Sequence, residues 1–410
     1  MAKLGRAPVR TPTETPIGSP MNEPDEAEEA GILIMFGVTV FGLLSANLSG
    51  FAHVWAAADI LPLQSPAAGA LDKLAWWLGQ TFVSWTFNIL LMVLFGSSLA
   101  LRRAGDGARG LGWMGFGGLV LAYVFWHGEL LTVLALAGMI AVPMRALQPA
   151  TRWMTLAGLI GGTYLILLAG AGITALVPDS MALSDLLGLD AARITAIEAA
   201  HQSGFWARLP DNMAIALQFH LVEIFFLGGG ALGLVLLGME LVERRFWSGA
   251  WPVMPLVFSA AAALGIGLPL NGWSAVHAMS AGFAPSQAWG GVAAHAAGAL
   301  LSAYGYAALV VLAVRYRVAE RFQLFLIRAG NTWLSLHVGQ IVVLTVVFSG
   351  IPGLALYGQL APASLFALGL VLVMVQAGAV LAIDRWLRVG PVEWLLDGVS
   401  SRHFARLRRG

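Results

Sequence analysis

His220 and Glu223 are the residues of this chain whose types and spacing most clearly suggest chemistry. They lie three positions apart in the apolar stretch Phe219-His220-Leu221-Val222-Glu223, so on a helix they share one face. An ionisable side chain inside a membrane span costs about 2.5–3.5 kcal/mol on insertion scales, and it is therefore a functional hypothesis by default. The pair predicts either an acid–base couple or two ligands of a metal ion. The alternative interpretation is a buried pair whose two side chains only satisfy each other's hydrogen bonds and that has no function in catalysis or binding.

Two more histidines, His295 and His337, lie in later apolar stretches. Taken alone, each is typical of a packed histidine that is hydrogen-bonded to a neighbouring helix. If they converge with His220 and Glu223, the four groups predict a site for a metal, a haem or a pigment. Spacing alone does not establish that convergence, so the sequence assigns no cofactor.

His127 and Glu129 lie where two short apolar stretches meet. Glu129 opens a helix, where the helix dipole favours an anionic side chain, and this explains the residue without any function. The functional interpretation is an acid or base that faces a periplasmic acceptor. Asn47 and Gln340 are amides inside apolar stretches, and they are candidates to line a cavity or to bond across helices.

The elements that position these groups follow from the composition. Of 410 residues, 58% are hydrophobic and 11% are charged, against about 25% charged in a soluble domain. This excludes an ordinary soluble enzyme. The 23 basic and 22 acidic residues nearly cancel, which argues against nucleic acid as a partner. The chain has no cysteine, so no thiolate nucleophile or thiolate metal site is available.

The composition therefore predicts an all-α, polytopic membrane bundle whose main partner is the lipid bilayer. Twenty of the 23 Lys and Arg residues fall on the side that holds both termini and three fall on the other. Basic loops face the cytoplasm, so both termini are predicted to be cytoplasmic. About ten apolar stretches are long enough to suggest spans, and they cover residues 31–51, 80–101, 110–126, 128–147, 153–177, 213–239, 251–270, 288–314, 330–350 and 362–383.

Three regions are expected along the chain. Residues 1–28 are rich in Pro, Thr and Glu and predict a disordered cytoplasmic tail. Residues 29–390 form the ten-helix membrane domain, which includes a periplasmic segment at 178–212 with one or two amphipathic helices. Residues 391–410 form a basic cytoplasmic tail, an anchor to anionic lipid.

The order of segments resembles the YeiB-like bacterial inner-membrane proteins, a domain family of unknown function that is distantly related to transmembrane acyltransferases. The C-terminal Gly390-Pro391-Val392-Glu393-Trp394-Leu395 is similar to the family's most specific signature. Three further stretches carry the resemblance, namely residues 37–52, 94–103 and 128–139, and in all it runs from about residue 31 to 398. The resemblance implies a bacterial inner-membrane protein.

Several charged positions of that family are replaced in this chain. The usual Leu-Asp-x-x-Arg-Gly appears as residues 32–37, without the acid or the arginine, and a lysine is lost near Thr86. The usual histidine stands as Leu121, and an arginine of the ninth helix stands as Asn331. The hairpin acid survives as Glu129. Charged groups persist in a bilayer only where something requires them, so the inherited chemistry is either absent or carried by His220, Glu223 and Glu129.

Three functions follow as hypotheses. The first is a non-catalytic scaffold or accessory subunit that binds lipid, a pigment or a membrane complex. The second is an acyltransferase that moves an acyl group from cytoplasmic acyl-CoA to a periplasmic or lipid-linked acceptor. The third is a small-molecule transporter, which the Gly-interrupted helices allow.

Overall fold

The computed structural model describes residues 24–101, 108–178, 181, 183–387, 389–401 and 407. This part of the chain is built from α-helices, which confirms the predicted fold class. In chain order the helices are α1 (Pro24–Ala52), α2 (Leu61–Gln64), α3 (Ala70–Phe82), α4 (Thr86–Leu101), α5 (Ala108–Val120), α6 (Leu131–Met144), α7 (Pro149–Thr174), α8 (Leu183–Leu186), α9 (Ala191–Ser203), α10 (Phe205–Val222), α11 (Gly228–Glu243), α12 (Val253–Ser280), α13 (Ala288–Arg315), α14 (Glu320–Asn331), α15 (Trp333–Phe348), α16 (Pro362–Trp386) and α17 (Pro391–Ser401).

Seven helical segments of the described chain are long and apolar enough to cross a membrane. They are α1, α3 with α4, α7, α10 with α11, α12, α13 and α16. An eighth arises if α14 and α15, which meet at a bend of 73°, count as one broken span. The protein is therefore a multi-pass membrane protein, while the predicted number of about ten spans is not confirmed.

The two remaining apolar stretches form a hairpin of short helices. α5 continues through a π-helical turn, Leu121–Phe125, and α6 has 14 residues. At 1.5 Å per residue α6 measures about 21 Å, whereas the hydrocarbon layer is about 30 Å thick. The hairpin tip, Trp126–Leu130, packs inside the bundle, where Trp126 stacks on Phe51 with ring centroids 4.2 Å apart.

Close backbone approach holds the centre of the bundle together. α4 crosses α11 at Gly96 and Gly238, where any Cβ would collide with the backbone carbonyl of Val235 or of Val93. At the same crossing the Ser97 hydroxyl donates to the Gly238 carbonyl (3.0 Å). Small residues let helices approach in this way, which is the usual basis of helix packing within membranes.

The structure describes part of each terminal segment. Most of the predicted N-terminal tail lies outside the described residues, but α1 begins at Pro24, and Glu28 is buried. Its carboxylate accepts hydrogen bonds from the backbone N–H groups of Trp247 (3.2 Å) and Ser248 (2.8 Å). The predicted C-terminal tail begins as helix α17, which packs on α5 and α15, and most of residues 402–410 lie outside the described part.

Candidate functional site

Glu129 lies at the tip of the α5–α6 hairpin and has no solvent exposure. Its Oε2 accepts a hydrogen bond from the backbone N–H of Leu131 (2.6 Å), the first residue of α6. The N-terminus of α6 therefore favours the carboxylate. Gly118 of α5 makes room for this group, because a Cβ there would lie 3.0 Å from Oε2 and still closer to Thr132.

His337 of α15 completes a buried pair with Glu129. Its Nε2 lies 3.3 Å from Glu129 Oε1, and the histidine side chain is 2% exposed. Within the described chain its Nδ1 has no hydrogen-bond partner. An imidazole that is oriented by a carboxylate on one nitrogen, with the other nitrogen unpartnered, has the geometry of a general base.

The C-terminal signature holds the helix that carries His337. Glu393 Oε1 accepts from the backbone N–H groups of Leu334 (2.8 Å) and Ser335 (3.1 Å), and Oε2 accepts from the Ser335 hydroxyl. The carboxyl thus caps the N-terminus of α15. Burial raises the pKa of Glu393, and these hydrogen bonds oppose the rise. Gly390 is required here, because a Cβ would strike Glu393 and Ser335.

His220 and Glu223 are near one another in sequence but are not hydrogen-bonded to one another in the described structure. His220 Nδ1 contacts the Ala216 carbonyl (2.8 Å), and the ring stacks on Tyr123. His220 Nε2 and Glu223 Oε2 have no partner within the described residues. A π-helical turn begins at Glu223. The Glu223 carboxyl lies within electrostatic range of Glu129.

The other predicted residues lie elsewhere. His295 packs edge-on against Trp85, with ring centroids 4.9 Å apart. Gln340 has a structural role, because its Nε2 donates to the Val40 carbonyl (2.7 Å) and to Gln376 Oε1 (2.8 Å). Asn47 is partly buried on α1. Within the described part of the chain, no group of three or more His, Asp and Glu residues is arranged to hold a metal ion.

His127 belongs to a second polar cluster, whose other members the sequence did not single out. The π-helical turn before it frees backbone carbonyls that side chains of α10 satisfy. Asn212 Nδ2 donates to the Ala122 and Tyr123 carbonyls, both at 2.9 Å, and Arg208 Nη2 donates to Val124 (3.1 Å). Asn212 Oδ1 accepts from the His127 backbone N–H (3.1 Å). The sequence could have indicated this cluster, because Arg208 and Asn212 are polar residues four apart on one helix face.

The same cluster lines a cavity of about 20 Å³. His201 lies in it, stacked on Tyr357 with ring centroids 3.8 Å apart. Burial lowers the pKa of His127 to about 3 and that of His201 to about 4. Burial also raises the pKa of Tyr357. Both imidazoles and the phenol are therefore neutral near pH 7.

Comparison with known proteins supports the resemblance found in the sequence. Residues 241–401 match the family described as "Protein of unknown function (DUF418)". No curated protein matches the chain, and no solved structure matches it. The match includes His337 and the 390–395 signature, and Glu129, His220 and Glu223 lie outside it. The YeiB-like family is the DUF418 family, so residues 241–401 match the family that the resemblance named.

Proposed function

We propose that this multi-pass membrane protein is an acyltransferase whose general base is His337, with Glu129 as the residue that orients it. The observation that supports the proposal is the buried Glu129–His337 pair, with Nε2 held at 3.3 Å and Nδ1 left unpartnered among the described residues. Of the three residues that the sequence put forward for catalysis, His220, Glu223 and Glu129, the proposal keeps Glu129 and takes His337 as the base.

The proposed step is attack of an acceptor hydroxyl or amine on an acyl-CoA thioester. His337 Nδ1 takes the acceptor proton as the acceptor oxygen or nitrogen bonds to the thioester carbonyl carbon. The tetrahedral intermediate then collapses, the carbon–sulfur bond breaks, and the imidazolium returns the proton to the leaving thiolate. Glu129, held at the N-terminus of α6, stabilises the transient imidazolium.

A non-catalytic scaffold is the second candidate, and one observation favours it. Glu129 has no exposure and His337 is 2% exposed, so in this structure the pair is enclosed by the bundle. A buried pair of this kind also serves to fix the register of packed helices, because breaking it leaves an uncompensated group. The scaffold function predicts a stable co-purifying partner and no chemistry at His337.

The test uses the full-length protein in liposomes that contain acetyl-CoA and hydroxylated or amino acceptors. Released thiol and acylated acceptor are measured in parallel. We expect His337→Ala to lower turnover by about 10²–10⁴-fold, the usual contribution of general base catalysis. Glu129→Gln keeps the shape and is expected to lower turnover less, with an altered pH profile.

His295→Ala is the matched control, because it also removes a buried histidine but outside the site. Turnover that is equal in the wild type and in His337→Ala would refute the assignment of the base. The scaffold function would be favoured over the acyltransferase if the folded wild type released no thiol and a partner protein stayed bound to it through purification.

A further inference from the structure

Arg208 is a buried cation without a carboxylate partner among the described residues. The side chain is 3% exposed. Its Nη2 donates to the Val124 carbonyl, its guanidinium lies 4.8 Å from the centroid of the Phe205 ring, and its Nε has no partner within the described residues. A buried charge is normally paired, because removing an ion from water costs several kcal/mol. An unsatisfied guanidinium N–H in this position points to a ligand that accepts hydrogen bonds.

The acids nearby do not neutralise Arg208. Asp211 Oδ1 pairs with Arg193, and its Oδ2 has no hydrogen-bond partner among the described residues. Glu198 is half-buried and acts on Tyr357 electrostatically. No ion pair joins Arg208 to either residue, so within the part of the chain that the structure describes its positive charge has no protein counter-ion.

The cavity of about 20 Å³ lies beside this charge. Among the described residues that line it, Arg208 is the one that carries a charge, and its other walls include His127, His201, Ser349 and Tyr357. A space of this size holds about one water molecule, and a monatomic anion is of similar size. Because both imidazoles are neutral near pH 7, the site carries one net positive charge, and the Tyr357 hydroxyl remains protonated as a donor.

We propose that Arg208 and this cavity bind a small monatomic anion, a free halide. The anion supplies the missing counter-ion and accepts from the unpartnered Arg208 Nε–H. This inference is independent of the acyl-transfer proposal, since it uses none of the residues of the Glu129–His337 pair.

The bound anion stabilises the hairpin that carries Glu129. Arg208 and Asn212 of α10 already hold the carbonyls of the π-helical turn, and Ser349 and Tyr357 also line the cavity. An anion between these walls joins α10, the hairpin tip and the segment that follows α15. Its binding therefore raises the stability of the folded protein by mass action.

The experiment measures the melting temperature of the detergent-purified protein at constant ionic strength. Gluconate, which is too large for the cavity, is replaced stepwise by chloride, by bromide or by acetate. We expect a saturable rise in melting temperature with the halides and none with acetate, which is larger than a space for one water molecule. A saturable rise with acetate equal to that with chloride would contradict the size match. Arg208→Gln keeps a hydrogen-bond donor without the charge and is expected to weaken the apparent halide affinity at least tenfold.

Two further variants test whether the halide binds in this cavity. Ser349→Val fills the cavity while leaving Arg208 in place, and it is expected to abolish the halide response even if Arg208→Gln does not fold. Arg321→Gln, which removes an exposed arginine outside the cavity lining, should retain the response. Equal halide responses in the wild type and Ser349→Val would overturn the proposal, as would anomalous scattering that places bromide away from Arg208 or the absence of any saturable response.

Discussion

Two buried arginines of this protein solve the same electrostatic problem in different ways. Arg152 of α7 is 7% exposed, and its Nε lies 2.5 Å from Glu240 Oε1, while its Nη2 pairs with Glu243. Arg208 of α10 is 3% exposed and has a carbonyl and an aromatic ring instead. The first charge is neutralised within the chain. The second is compensated only in part, which leaves it available to a ligand.

The comparison shows that burial alone does not identify a functional charge. Both arginines are enclosed, and the sequence singled out neither of them as a site. What separates them is the partner, because Arg152 has a carboxylate on each of two nitrogens and Arg208 has none within the described residues. A buried charge that the chain itself neutralises is structural, and one that it leaves uncompensated is a candidate binding group.

The largest expected effect concerns Arg152, the arginine that the chain neutralises. Glu240→Gln leaves the Arg152 charge buried without its enclosed partner, and we expect a loss of about 3–5 kcal/mol in the free energy of unfolding. Glu243→Gln is the matched control, because the Glu243 side chain is 45% exposed and such pairs contribute about 0–1 kcal/mol. Denaturant titration in detergent measures both, and equal losses would contradict the assignment.

The next effect concerns the hydrogen bonds that hold the π-helical turn. Asn212→Ala leaves the Ala122 and Tyr123 carbonyls without their side-chain donor, and a buried unsatisfied group costs about 1–3 kcal/mol. Arg208→Gln in gluconate should cost less, because its loss also removes an unpaired charge. Denaturant titration of both variants in gluconate measures the difference. If Arg208→Gln lowers the free energy of unfolding more than Asn212→Ala does, Arg208 has a structural role and does not differ from Arg152 in the way described.

The smallest effect, taken over the one pH unit below pH 6.5, is a pH dependence from the second cluster. The pKa of His127 is lowered by burial to about 3, below its unfolded value near 6.5. The unfolded state therefore binds a proton first as the pH falls, so stability is lost below about pH 6.5, by at most about 1.4 kcal/mol per pH unit for this group. His127→Gln should flatten this part of the melting-temperature profile, whereas His277→Gln, which lies outside the cluster, should not. An unchanged profile in His127→Gln would show that other groups carry the acid sensitivity.

Much of the fold could be predicted from the sequence, because apolar stretches of span length must become helices in a bilayer. The helix-opening position of Glu129 was predictable from a local pattern as well. Its pairing with His337 was not, since 208 residues separate them and the packing of α15 against the hairpin is what brings them together. The expected His220–Glu223 pair assumed a regular helix, and the π-helical turn that begins at Glu223 interrupts it.

The short α5–α6 hairpin has a consequence for the topology of the chain. A hairpin can cross the bilayer twice, or it can enter and return from the same face. In both cases α7, the helix that follows the hairpin, begins on the side of the membrane where α5 begins. The parity of the remaining crossings is therefore unaffected by the depth that the hairpin reaches. The orientation of the later helices across the membrane, including that of α15, which carries His337, is therefore the same whether Glu129 lies near the middle of the bilayer or near its far surface.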